Sequence, residues 1–130
     1  MAEYIYEAVL LNRYYDERAR SSTKPIPDFR LDRIVWSTQG VNITNLDRNL
    51  KELEDVQLTN SGVFTYINGA IFIKASFPSD KAPLEGIGIA TLGILDAKGG
   101  LCCVLSVAPS ITAKRGRMID ITFKISTGTA

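Results

Sequence analysis

Cys102 and Cys103 carry the most reactive side chains of this sequence, and they are neighbours in Leu101-Cys102-Cys103-Val104. A thiolate serves as a nucleophile or a metal ligand, but either role needs company: a general base beside the sulfur, or further ligands around a cation. The chain contains no histidine, which removes Ser-His-Asp and Cys-His arrangements together with the commonest metal ligand. The cysteine spacing is not Cys-x-x-Cys and no second pair exists, so a zinc site lacks ligands. Both cysteines therefore read as small apolar residues of a strand, with side chains on opposite faces and no disulfide between them.

Other candidates for chemistry are weaker. Asp28 with Asp32, and Asp47 with Glu52, have the residue types of a carboxylate pair, but solvated surface charge is the preferred reading of both. Gly86-Ile87-Gly88 holds part of a dinucleotide fingerprint, yet it precedes a strand-like run and has no third glycine at the required offset. Lys114-Arg115-Gly116-Arg117 is the one dense basic run and reads as a solvated loop between strands. Fifteen basic residues against fourteen acidic ones give no basis for general polyanion binding, because nucleic-acid affinity scales with the phosphates neutralised. No enzymatic activity, cofactor, metal or nucleic-acid partner is expected.

Recognition through aromatic side chains remains. Tyr4, Tyr6, Tyr14 and Tyr15 fall in the first segment, too many for one core-facing stripe, so part of the group is expected at a protein interface. Tyr4, Tyr14, Tyr15 and Trp36 are the candidate interface residues. A reading from a different class is a free β-sandwich module that binds glycan or another small ligand, with Tyr66, Phe72 or Trp36 as a stacking platform.

These residues need elements to hold them. Glu3 to Arg20, with Ile5, Val9, Leu10, Leu11, Tyr14 and Tyr15, predicts an amphipathic helix with a basic last turn, ended by Pro25 and Pro27. Phe29 to Ser37 predicts a strand. Ile43, Leu46, Leu50, Leu53 and Val56 recur at helical spacing, which predicts a second, short helix capped by Asn42 or Asn45. Val63 to Phe77 reads as one long strand with a bulge at Gly69, in preference to a hairpin turning at Asn68-Gly69. Ile87 to Leu95 and Leu101 to Val107 read as partner strands. Asp96, Gly99 and Gly100 form the turn between them, because glycine accepts positive φ at no steric cost. Met118 to Ser126 alternates apolar and polar residues, as a half-buried strand does.

The expected fold class is α+β: an antiparallel β-sheet or sandwich of about five strands with an N-terminal amphipathic helix and a second short helix. No linker or repeat divides residues 1–130, whose number suits a single domain, and 45% apolar with 22% charged residues is a globular composition. No apolar run approaches the roughly 20 residues of a membrane helix. Acids interleave the opening residues, unlike a secretory peptide. A soluble chain made in the cytoplasm, with no membrane partner, is expected.

Lys24-Pro25-Ile26 to Trp36 with Gly40 is followed by Leu92-Gly93-Ile94-Leu95-Asp96, then Gly99-Gly100-Leu101 and onward to Val107-Ala108-Pro109. In these stretches and in the order of its segments the chain resembles the N-terminal attachment domain of phage tail-collar fibre proteins. Thr91 stands where the family has an acid, Leu95 where it has an aromatic, and Ser37-Thr38-Gln39-Gly40 where it has Gly-Asp-Gly. The resemblance implies a virion structural protein without catalytic residues, assembled in the host cytoplasm. It would join a fibre to other tail or baseplate proteins as a homo-oligomer, commonly a trimer. Ending at Ala130, the chain would be an adaptor without a shaft or receptor-binding tip of its own.

Overall fold

The computed structural model describes residues 6–42, 44–116 and 119–126. In chain order the described elements are β1 (Tyr6–Glu7), β2 (Val9–Leu10), α1 (Asn12–Ser22), β3 (Leu31–Ser37), β4 (Val56–Ser61), β5 (Val63–Ile67), β6 (Ala70–Phe77), β7 (Ile87–Asp96), β8 (Leu101–Ala113) and β9 (Ile119–Ser126). A four-stranded sheet has the order β1-β9-β6-β5, and a five-stranded sheet the order β2-β8-β7-β3-β4. All pairings are antiparallel except that of β1 with β9.

Alternation decides which side chains meet between the sheets. Ile73, Ala75 and Phe77 of β6 and Ile119, Ile121, Phe123 and Ile125 of β9 share one buried cluster with Ile34 and Trp36 of β3 and Leu105 and Val107 of β8. Trp36 meets Phe77 edge to face, with ring centroids 5.3 Å apart. The two sheets are thus the halves of a sandwich. A second cluster lies on the outer face of the larger sheet, where Val35 and Val104 are covered by Leu53 and by the half-buried Val41, Leu46 and Leu50 of the β3–β4 connection.

The α+β expectation is overturned: the described chain is mostly strand, with one helix. The first helix begins at Asn12 and not at Glu3. Tyr6–Glu7 and Val9–Leu10 instead pair with β9 and β8, so open ladder positions at two sheet edges outweigh local helical spacing. Tyr4, with Ile5, lies outside the described residues.

The second helix does not form either. Asn42 Oδ1 accepts the N–H of Thr44, and Asp47 Oδ1 that of Asn49, so short polar side chains satisfy backbone donors in Asx turns and compete with the helix. Leu46, Leu50 and Leu53 still reach the outer face of the sheet from this irregular connection. Arg48 anchors it by donating to the Leu10 carbonyl at 2.8 Å.

Val63 to Phe77 is a hairpin and not one strand. Asn68 (φ 46°) and Gly69 (φ 81°) form its two-residue turn, with Ile67 opposite Ala70. Both φ values are those of a type I′ turn, whose twist matches the flanking strands.

Single strands lace both sides of the sandwich. On one side the chain passes from β1 in the small sheet to β2 in the large one; on the other it passes from β4 in the large sheet to β5 in the small one through Gly62. Helix α1 closes one end. Its Tyr14 joins the inter-sheet core and packs edge to face on Phe29, while the Ser21 hydroxyl accepts the N–H groups of Asp28 and Phe29.

Candidate functional site

The turn between β7 and β8 is the most densely bonded polar feature of the described chain. Asp96 is only 3% exposed. Its Oδ1 accepts the N–H groups of Lys98 at 2.9 Å and Gly100 at 3.0 Å, and its Oδ2 accepts from Arg13 Nε of α1 at 2.8 Å. Its own N–H donates to the Gly100 carbonyl at 2.9 Å, closing the reversal. Gly99 supplies the positive φ of 87°, and Arg13 lies directly over Gly100 where a side chain would otherwise stand. Glu17 of α1 adds ion pairs to Lys98 at 3.7 Å, Arg20 at 3.3 Å and Arg13 at 3.9 Å. Burial pushes the Asp96 carboxyl up, but the Arg13 hydrogen bond and charge and the N–H groups of Gly100 and Lys98 outweigh it and hold the group below its ordinary value. The carboxylate is an acceptor already committed to its neighbours.

Cys102 and Cys103 are both buried and both belong to the inter-sheet core. The ladder is irregular here, with Ile94 opposite Cys103 and Leu95 opposite Leu101, so Cys102 is an extra residue in β8. That bulge is why adjacent cysteines do not take the opposite faces expected of a regular strand. The Cys102 sulfur sits 3.5 Å from Asp96 Oδ2. Burial, then the Asp96 charge and hydrogen bond, push its thiol up to about 12, and burial followed by Cys102 pushes Cys103 well up too. Neither is a thiolate at neutral pH, so neither has the nucleophile's charge.

Substitutions separate turn from sulfur. Gly99→Val should destabilise the chain by about 1–2 kcal/mol, since a β-branched residue is forced into left-handed backbone. Cys103→Ala should remove about 1 kcal/mol, the order of one buried group of methylene size. Urea denaturation of both variants measures the difference, and a larger loss at Cys103 would reverse this ranking.

The candidate interface residues divide. Trp36 is fully buried, its indole N–H donating to Asn60 Oδ1 at 2.9 Å, and Tyr14 is buried against Phe29. Burial also pushes the Tyr14 phenol up, against the Arg18 charge. Tyr15 stays 53% exposed. The stacking platform is not assembled, because Trp36 is internal and the β5–β6 register places Tyr66 opposite Ile71 and Phe72 opposite Thr65, on successive faces. Asp96, Gly99 and Gly100 form the turn expected of them.

Sequence reasoning missed the side of the sandwich built by β4 and β5. Val56, Val63, Tyr66 and Ile67, four of the large apolar residues left exposed, lie along it. Asn60 bridges the sheets there: its Oδ1 takes the Trp36 indole and its Nδ2 donates to the Ser76 carbonyl at 2.7 Å. β5 ends its pairing at Val63 opposite Lys74, so Asn60 supplies the donor that β5 no longer offers to Ser76. The legible signal was charge: from Val56 to Ile73 no charged residue and no proline occurs.

No family model, curated protein or solved structure matches this chain.

Proposed function

We propose that this chain is a non-enzymatic structural domain that works through protein–protein interfaces, as a tail or baseplate component that attaches a fibre in a phage virion. The observation that carries the interface reading is the uncharged, partly apolar β4–β5 side, a kind of surface that marks association sites. The polar groups of the β7–β8 turn, by contrast, are spent on holding α1 to the sheet. The virion assignment is supported by the resemblance carried by residues 92–96 and 99–109. Mass spectrometry of purified particles tests it, with the chain expected at a fixed multiple of a baseplate protein. Absence from particles, together with strictly monomeric behaviour in solution, would overturn the reading.

A further inference from the structure

We infer that β5 is a self-pairing edge, and that two copies of this chain join through it in antiparallel register about Thr65; this deepens the assembly reading above and rests on it. Among the described residues β5 is the outermost strand of the four-stranded sheet, with β6 on one side and no strand on the other. In a hairpin closed by a two-residue turn, the residues flanking the turn exchange both backbone hydrogen bonds, and the pattern then alternates. Ile67, Thr65 and Val63 therefore bond toward β6, while the N–H and C=O groups of Phe64 and Tyr66 point to the open edge. Natural sheets usually guard such an edge with lysine, proline or a bulge. β5 has none of these.

The choice of a second copy comes from the sequence of the strand, which is chemically palindromic: Val63-Phe64-Thr65-Tyr66-Ile67. Rotation about Thr65 sets Phe64 opposite Tyr66 of the other copy, and these are the two residues whose backbone groups are turned outward. Each such pair exchanges both hydrogen bonds, and an aromatic stands across from an aromatic on the inner face. Thr65 meets its own copy, and Val63 meets Ile67, at positions where side chains approach most closely. Val63 is 61% exposed, Ile67 50% and Tyr66 66%, so each has area to lose in the pairing. The absence of charge along β5 means that the two-fold axis opposes no like charges. The product is one sheet running continuously through both copies, a two-fold assembly and not the trimer that the resemblance implies. One short strand pair falls below the roughly 800 Å² per partner of a standard interface, so the association is of the weak class.

A charge swap at the axis tests this. Thr65 lies on the exposed outer face, so Thr65→Lys and Thr65→Glu should leave the circular dichroism spectrum unchanged. Light scattering behind gel filtration should show a concentration-dependent dimer for the parent chain. Each variant alone should weaken it roughly tenfold or more, because the axis sets the new charge against its own copy. An equimolar mixture of the two should recover the dimer as a Lys–Glu pair. A parent chain that is oligomeric but indifferent to charge at position 65, or a mixture that does not recover, overturns the β5 pairing and leaves the assembly role standing. A parent chain that is monomeric at every concentration and absent from particles ends both.

Discussion

Asp96→Ala is expected to lower the stability of this chain by about 3 kcal/mol at pH 7, the low end of the range for breaking a buried ion pair. The side chain removed is 3% exposed and accepts from two backbone N–H groups and from the Arg13 guanidinium. Its loss leaves those donors facing an apolar methyl, each with a desolvation penalty of about 1 kcal/mol or more. Arg13 moderates the effect, because its side chain is 34% exposed and can rehydrate once freed. The same substitution tests a pH dependence. The folded chain holds the Asp96 carboxyl below its ordinary value of 3.8, so the unfolded chain binds that proton more readily. The stabilisation is complete above about pH 5 and drains away as pH falls through the lower, folded value. Urea denaturation of parent and variant across this range should show a stability gap that is wide at neutral pH and narrows in acid. A gap that widened in acid would contradict the placement of Asp96 among its donors.

Gly62→Val should be nearly as costly, about 2–3 kcal/mol, from overpacking. Gly62 is where the chain leaves β4 in one sheet and enters β5 in the other. A Cβ placed there stands 2.9 Å from Ile34 Cγ1 and 3.2 Å from the Lys74 carbonyl oxygen. Ile34 is fully buried and β-branched, so its restricted side chain can withdraw only by displacing its neighbours in the core. The carbonyl belongs to the β6 backbone and cannot move without disturbing the hairpin. Gly62→Ala isolates the contact. Ile34→Ala should cost less in the Gly62→Ala background than in the parent, because the methyl that creates the clash occupies part of the space vacated. Additive losses in that cycle would mean that the two positions do not touch.

What the residues disclosed, and what they withheld, follows the range of the interactions involved. The alternation of Ile119, Ile121, Phe123 and Ile125 is a local property of a half-buried strand, and all four are buried in β9. The Asp96 to Gly100 reversal was equally legible, because a turn is written in the residues that make it. Val9 and Leu10 were not, since their place is decided by Cys103 and Val104 of β8 and not by any neighbour in the chain. Leu46, Leu50 and Leu53 show a subtler failure: their spacing fits a helix, but it is equally satisfied by a connection that touches the sheet at intervals. Asn68-Gly69 is the clearest lesson. The dipeptide is the strongest short hairpin signal known; the shortness of its two halves argues against a free-standing hairpin, but β6 is also paired along its length with β9, which supplies the support that a free hairpin lacks. Nothing in the sequence joins Arg13 to Asp96, 83 residues apart. That ion pair exists because α1 and the β7–β8 turn are brought to the same end of the sandwich.

The passage of single strands from sheet to sheet also bears on how quickly this chain can be made. Tyr6 pairs with Phe123, so the first described strand is completed only when the last has arrived, and a loop of nearly the whole domain must close before β1 gains its partner. Folding dominated by such distant pairings is slow among domains of this size, on the order of milliseconds to seconds. Until β9 is seated between β1 and β6, the small sheet is only the β5–β6 hairpin, with both of its edges open. The interval before that closure is when newly made chains would be most prone to capture one another in the wrong register.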